Sequence, residues 1–220
     1  SKYKNINSIG YIHSPPHSIP TNFVKNYSSP NKLIVNGQSQ KKIFTKYLGW
    51  SNKDIKLLPS LRFLKKSKNM EGSIFLPLKI YNHKKILLDF RYFLKSKLFN
   101  FPLLEVKNHP LSASSKENIK LLKKLNAFIN INKKRFLKKK SRKLSIFIGN
   151  TGSILEALER NIEVIHYTED NFLQSYDNNL WKNIKSKKIS NNFYLYRLEK
   201  KNSLINFGIL NNKFFKKYRF

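Results

Sequence analysis

Between residues 73 and 167, short apolar runs alternate with amphipathic stretches, and this alternation restricts the chain to few folds. SIFLPLK (73–79), PLLEVK (102–107), KLSIFIG (143–149) and IEVIHY (162–167) read as strands. Between them, HKKILLDFRYFLKSKL (83–98), SSKENIKLLKKLNAFI (114–129) and SILEALER (153–160) carry helical spacing. Such alternation with short connections predicts an α/β fold, a Rossmann-like parallel sheet with helices on both faces. The apolar runs IFLPL and SIFI agree, because central parallel strands are buried on both sides.

The first 64 residues repeat the theme less completely. SIGYIH (8–13), KLIVNG (32–37) and IKLLPS (55–60) read as strands, and residues 38–48 as a helix stopped by Gly49. SPPHSIP is an ordered loop rather than an element. The polar KKSKNMEG (65–72) reads as a linker, FYLYRL (193–198) as a last strand, and 199–220 as a basic, aromatic C-terminal segment. The chain begins at Ser1 and enters a strand almost at once, which fits a segment of a longer protein.

The formal charge is +32, which invites a polyanionic partner, either nucleic acid or an anionic membrane. Lysine far outnumbers arginine, the residue suited to bidentate phosphate and base contacts, and the charge is spread along the chain. Compositional bias therefore accounts for most of it, and nucleic acid is not the expected partner. There is no cysteine, which excludes disulfides and thiolate metal sites. The five histidines lack zinc-site spacing, so a protein-held zinc is not expected, and GNTGS is neither a Walker loop nor a G-x-G-x-x-G fingerprint, so no cofactor is expected either. No apolar run approaches the roughly 20 residues that span a bilayer. A cytoplasmic protein, peripheral at the inner face of the plasma membrane, fits these features.

Ligands of open α/β sheets sit beyond the C-terminal strand ends. Polar groups recur there: His13, Asn36-Gly37, Arg62, Asn108-His109 and Asn150-Thr151-Gly152-Ser153. The GNTGS turn has two readings. Helix N-terminal N–H groups, close-approaching glycines and the Thr151 and Ser153 hydroxyls suit a phosphate. Equally, Ser153-x-x-Glu156 is a capping box that needs no ligand. Glu156 is either that cap partner or an acceptor for a ribose hydroxyl. Pro110 restrains His109 to an extended conformation at its strand end, with Lys107 close in sequence. His13 ends the first strand as a candidate base, or is a plain loop histidine.

The order strand–KNHP–helix–strand–GNTGS-ILEAL–strand resembles the C-terminal, donor-binding half of GT-B glycosyltransferases. It is most similar to the sialyl- and Kdo-transferases that use CMP-sugars and to CDP-glycerol glycerophosphotransferases of bacterial capsule and O-antigen synthesis. His109-Pro110 matches their HP motif, Thr151 and Ser153 their Ser/Thr-rich motif. GYIHSPP is similar to a His-Gly motif with Ser14 in place of the glycine. The resemblance implies residues 1–64 as the tail of an acceptor-side domain, 65–72 as linker and 73–198 as the nucleotide-sugar domain. It implies a nucleotide-sugar donor, CMP-linked in the nearest relatives, and a saccharide or lipid-linked saccharide acceptor. His109 and His13 would be catalytic, and Lys107, Asn150, Thr151, Gly152, Ser153, Glu156 and Arg62 would hold nucleotide or phosphate. Alternatives are a UDP-GlcNAc 2-epimerase-like enzyme and a non-catalytic binder of RNA or anionic membrane.

Overall fold

A computed structural model describes residues 7–14, 16–63, 70–96, 105–112, 115–134 and 143–207, and organises them around two sheets. The first sheet has three parallel strands, β1 (Ile9–Tyr11), β2 (Lys32–Val35) and β3 (Ile55–Leu57), in that order. Helix α1 (Gln38–Tyr47) buries Ile43 and Phe44 in one cluster with Leu33 and Val35.

The second sheet has six strands: β4 (Ser73–Phe75), β5 (Glu105–Lys107), β6 (Leu144–Ile148), β7 (Glu163–Tyr167), β8 (Ile184–Ser190) and β9 (Phe193–Leu198). Their order is β5-β4-β6-β7-β9-β8; the first four are parallel, and β9 and β8 run antiparallel. The helices of this half are α2 (His83–Lys95), α3 (Lys116–Ile131), the short α4 (Ser153–Glu159) and the one-turn α5 (Asn171–Gln174). The fold is mixed α/β with a mostly parallel sheet flanked by helices, compatible with a Rossmann-like class.

Strand periodicity explains the layering. Along β6, Leu144, Ile146 and Ile148 face one core with α2 and α3, while Phe147 faces the other with α4 and the first sheet. On β7, Ile165 and Tyr167 join the first core and Val164 the second. Both faces are buried, which is why these strands read as unbroken apolar runs. Each fully buried phenylalanine, such as Phe90, Phe147 or Phe193, contributes about 1.5–3 kcal/mol by leaving water. Caps set the helix starts: Asn82 accepts from the Lys85 N–H, and Ser115 from the Asn118 N–H.

Three expectations change. The strand expected over 73–79 stops at Phe75, ahead of Pro77, and residues 77–82 form a loop. Residues 65–69 of the expected linker, and 208–220 of the tail, lie outside the described residues, whereas residues 70–72 lead into β4 and bond to β6 in the interior of the second sheet. Met70 is buried, its carbonyl accepts from Ser145, and the Gly72 N–H donates to Leu144 at 2.7 Å. Finally, the two halves share one continuous core. Leu33, Val35 and Phe44 cluster with Phe147, Leu155 and Trp181. The SPPHSIP loop carries this junction, with Trp181 Nε1 donating to Ser18 O at 2.7 Å and Ser18 Oγ to Leu173 O at 2.7 Å.

Candidate functional site

In the parallel part of the second sheet, β4 leads to β5 on one side and β6 leads to β7 on the other. The switch point therefore lies between β4 and β6, and the helices that follow these two strands cover opposite faces. Open sheets part their loops at such a point and leave a crevice. A cavity of about 270 Å³ stands there, walled by residues 77–81 on one side and by Ile148, Gly149, Asn150 and Tyr167 on the other, with Glu169 and Gln174 at its edge.

The turn after β6 is shaped for this position. Gly149 has φ 70°, in the left-handed region that favours glycine, and a Cβ there would stand 3.4 Å from Pro77 Cβ. His166 on β7 is wholly buried and lies 2.8 Å from the Gly149 carbonyl through Nε2. Asn150 reaches the cavity with its Oδ1 buried and without a hydrogen-bond partner. Ser153 N–H turns back to Thr151 Oγ1, and the Ile154 and Leu155 N–H groups turn back to Thr151 and Gly152. Among the described residues, the N–H groups of Asn150, Thr151 and Gly152 make no hydrogen bond within the protein. They are unpaired donors at the entry to α4.

A polar cluster backs the wall at Tyr167. Tyr167 donates to Asp89 Oδ2 at 2.8 Å, Lys85 Nζ sits 2.7 Å from the same oxygen, and Asn192 lies 3.4 Å away. Burial alone pushes the Asp89 carboxyl up, but the Lys85 and Tyr167 hydrogen bonds and the Lys85 charge together hold it below its ordinary value. Burial, reinforced by Asp89, pushes the Tyr167 phenol far up, so it stays a neutral donor.

Of the residues expected in the site, Asn150 lines the cavity, and Thr151, Gly152 and Ser153 continue its turn. His109 lies on the same rim at the end of β5, two strands from β6, or roughly 10 Å by strand spacing. It is not among the cavity-lining residues. Its Nδ1 accepts from the Leu111 N–H at 3.2 Å, so the neutral ring carries its proton on Nε2. Beneath it, Asn108, Ser112 and Asn118 form a buried network, and Asn118 also donates to Pro77 O at 2.8 Å. Lys107 does not reinforce His109: it pairs with Glu105 at 2.8 Å and lies over the Phe75 ring.

Two readings of Glu156 give way to a third. Gly152 takes the N-cap, so the Ser153–Glu156 capping box does not form. Glu156 is 5% exposed and pairs with Arg160 at 2.9 Å, which removes it from reach of a ribose. Arg160 in turn stacks on Phe207.

At the first sheet's rim Arg62 bonds Ser14, the residue after His13, and the Tyr11 hydroxyl accepts from the Leu61 N–H. His13 is exposed. The loop it begins reaches the second half, where the Tyr176 hydroxyl contacts both Pro16 O and Thr151 O at 3.5 Å. Asn36-Gly37, by contrast, is covered by the chain itself. Ser39 N–H donates to Ser203 O and Asn206 N–H to Asn36 O, and a Cβ on Gly37 would meet Leu204 O at 2.0 Å. Residues 203–206 thus occupy the place beyond β2 where a ligand of that sheet would sit.

Sequence reasoning missed residues 77–81 because they were read as strand and its exit. It missed Lys85 and Asp89 because a helix face of this kind is ordinarily solvated. Glu169 follows β7 by two residues, where the strand-end rule reaches it, but the sequence reading does not include it. Among the described residues, no group of three or more His, Asp or Glu side chains is placed to hold a metal. No family model, curated protein or solved structure matches the chain.

Proposed function

We propose that this chain binds a nucleotide-sugar donor in the crevice between β4 and β6 and serves as the donor half of a glycosyltransferase for cell-surface polysaccharide. The observation that carries the reading is the cavity at the switch point, bordered by Asn150 with its unpartnered amide oxygen and adjoining three consecutive N–H donors. Ile80, Ile148 and Tyr167 offer apolar walls to a base or ribose, Asn150 and Glu169 accept its N–H or O–H groups, and the free N–H donors take phosphate oxygens.

When the bond from the sugar to the nucleotide breaks, negative charge builds on the departing phosphate. Oriented N–H groups stabilise that charge without reorganising. His109 serves as a further donor through Nε2–H if the sugar and phosphate extend along the rim toward β5. His13 and Arg62, on the first sheet, face the acceptor side, with His13 as the base that takes the acceptor proton.

A thermal-shift panel with CMP, CDP, UDP and their sugar conjugates tests this. One nucleotide series should raise the melting temperature, and Asn150→Ala should weaken the rise by roughly tenfold in apparent affinity. Indifference to every nucleotide, together with RNA binding that collapses steeply with salt, favours the polyanion-binder reading that the +32 charge supports.

A further inference from the structure

We propose that the C-terminal rim of the second sheet is a docking surface for an anionic lipid bilayer. Scattered exposed leucines are ordinary on protein surfaces. Their placement here is not scattered. Between residues 70 and 207, eight large apolar side chains are exposed among the described residues: Leu78, Tyr81, Leu88, Tyr92, Leu111, Ile131, Phe172 and Leu173. Five of them stand on loops of this one rim. Leu78 and Tyr81 follow β4, Leu111 follows β5, and Phe172 and Leu173 lie on α5 after β7.

The five form a connected set. Leu78 and Tyr81 line the cavity from one side, and Gln174, in the same helical turn as Phe172 and Leu173, lines it from another. The turn bearing Leu111 is tied to Pro77 through Asn118. Tyr81, Leu111 and Phe172 are 85%, 78% and 82% exposed, so they are presented outward rather than half-tucked. The backbone under Phe172 and Leu173 is fixed, because the Asp170 carboxylate accepts from both of their N–H groups. The opposite rim looks different: Lys143 pairs with Glu71 and Arg197 with Glu163.

Charge selects the occupant. Lys79, Lys84 and Lys116 are exposed on the same loops and helix starts. Of the rim's acidic groups, Asp170 caps α5 and Glu117 pairs with His83 and Lys120, while the exposed Glu169 at the cavity sets one carboxylate against these three lysines. A second copy of this chain would bring +32 against +32, which opposes self-association. An anionic bilayer accepts both signals at once: apolar and aromatic side chains enter the interface while lysines meet lipid phosphates. The surface does not depend on the nucleotide reading, but it turns the cavity mouth toward the membrane, where a lipid-borne substrate would arrive.

The test is co-sedimentation of the full chain with vesicles of phosphatidylcholine alone and of phosphatidylcholine mixed with phosphatidylglycerol. The wild type should partition onto the anionic vesicles only. Phe172→Ser with Leu173→Ser should lower the partition coefficient by roughly tenfold or more. Tyr81→Ser with Leu111→Ser, on two other loops, should do the same. Tyr27→Ser with Tyr92→Ser, exposed away from the rim, should change it less than about twofold. The melting temperatures of both rim pairs should stay unchanged, since only exposed side chains are altered. Failure of the wild type to bind anionic vesicles overturns the proposal. So does binding that both rim pairs leave intact, which would assign the contact to another part of the chain. Light scattering that shows a wild-type dimer, dissolved by the rim variants, also overturns it.

Discussion

The imidazole of His166 donates from Nε2 to the carbonyl of Gly149 at 2.8 Å, and one buried ring thereby holds the turn that shapes the cavity. A carbonyl can only accept, so Nε2 carries the proton and Nδ1 is the acceptor. Nδ1 faces the Tyr196 hydroxyl at 3.2 Å, and that hydroxyl accepts the Tyr176 N–H at 3.0 Å. Every member of the relay is satisfied in one direction, which orients the turn uniquely.

This relay predicts an acid-sensitive fold. Burial lowers the His166 pKa to about 4, only partly opposed by the Gly149 carbonyl. Between about pH 6.5 and 4 the unfolded chain binds a proton that the folded chain refuses. Stability is therefore full above the unfolded pKa and falls as pH drops through this window, by about 3 kcal/mol in all. Glu159, raised by burial, works in the opposite sense. The comparison that isolates the histidine is urea unfolding of wild type and His166→Gln at pH 7 and pH 4.5. The variant should be less stable at pH 7 and should lose less on acidification.

Gly149→Ala should damage the site more than the fold. A left-handed alanine costs about 1–2 kcal/mol. Its Cβ would also reach ordinary contact with Pro77 at 3.4 Å and so narrow the mouth of the crevice. A small drop in unfolding free energy should accompany a larger loss of nucleotide-induced thermal shift.

Gly37→Ala tests a different constraint. Gly37 has φ −149°, so its backbone conformation suits any residue. The obstacle is space, since a Cβ would stand 2.0 Å from Leu204 O. The crossing segment must move, and a destabilisation of about 1–3 kcal/mol is expected from chemical denaturation.

Glu159 clasps the same segment. Its carboxylate accepts from the N–H groups of Asn202, Leu204 and Ile205 at 2.6, 2.6 and 3.3 Å. Glu159→Ala leaves those donors unmatched and should cost about 2–4 kcal/mol. Trypsin should then cut faster after the exposed Lys200 and Lys201, while Glu159→Gln, which keeps one acceptor oxygen, should fall between the two.

The fold was legible where one physical signal dominated. Continuous apolar runs marked β6 and β7 to within a residue, and the helix expected over 114–129 forms over Lys116–Ile131 with Ser115 as its cap. Strand β8 was not legible, because IKSKKIS is an edge strand whose lysines face solvent and leave no apolar period. The site was half legible. The strand-end rule led to Asn150 through the glycine-rich turn, but Glu156 and Lys107 looked like ligand groups although their ion-pair partners, Arg160 and Glu105, stand only four and two residues away in sequence. Residues 77–81 were hidden inside an apolar run that Pro77 cuts short. Likewise, the covering of Asn36-Gly37 by residues 203–206 depends on contacts some 165 positions apart, which no local pattern records.

Amide hydrogen exchange, read by mass spectrometry with and without the nucleotide that shifts melting most, tests the central claim most directly. Protection should appear in residues 77–81, 149–153 and 168–174, with residues 9–13 and 55–63 unchanged. Protection confined to the first sheet, or none at saturating nucleotide, would contradict a donor seat at the β4–β6 crevice.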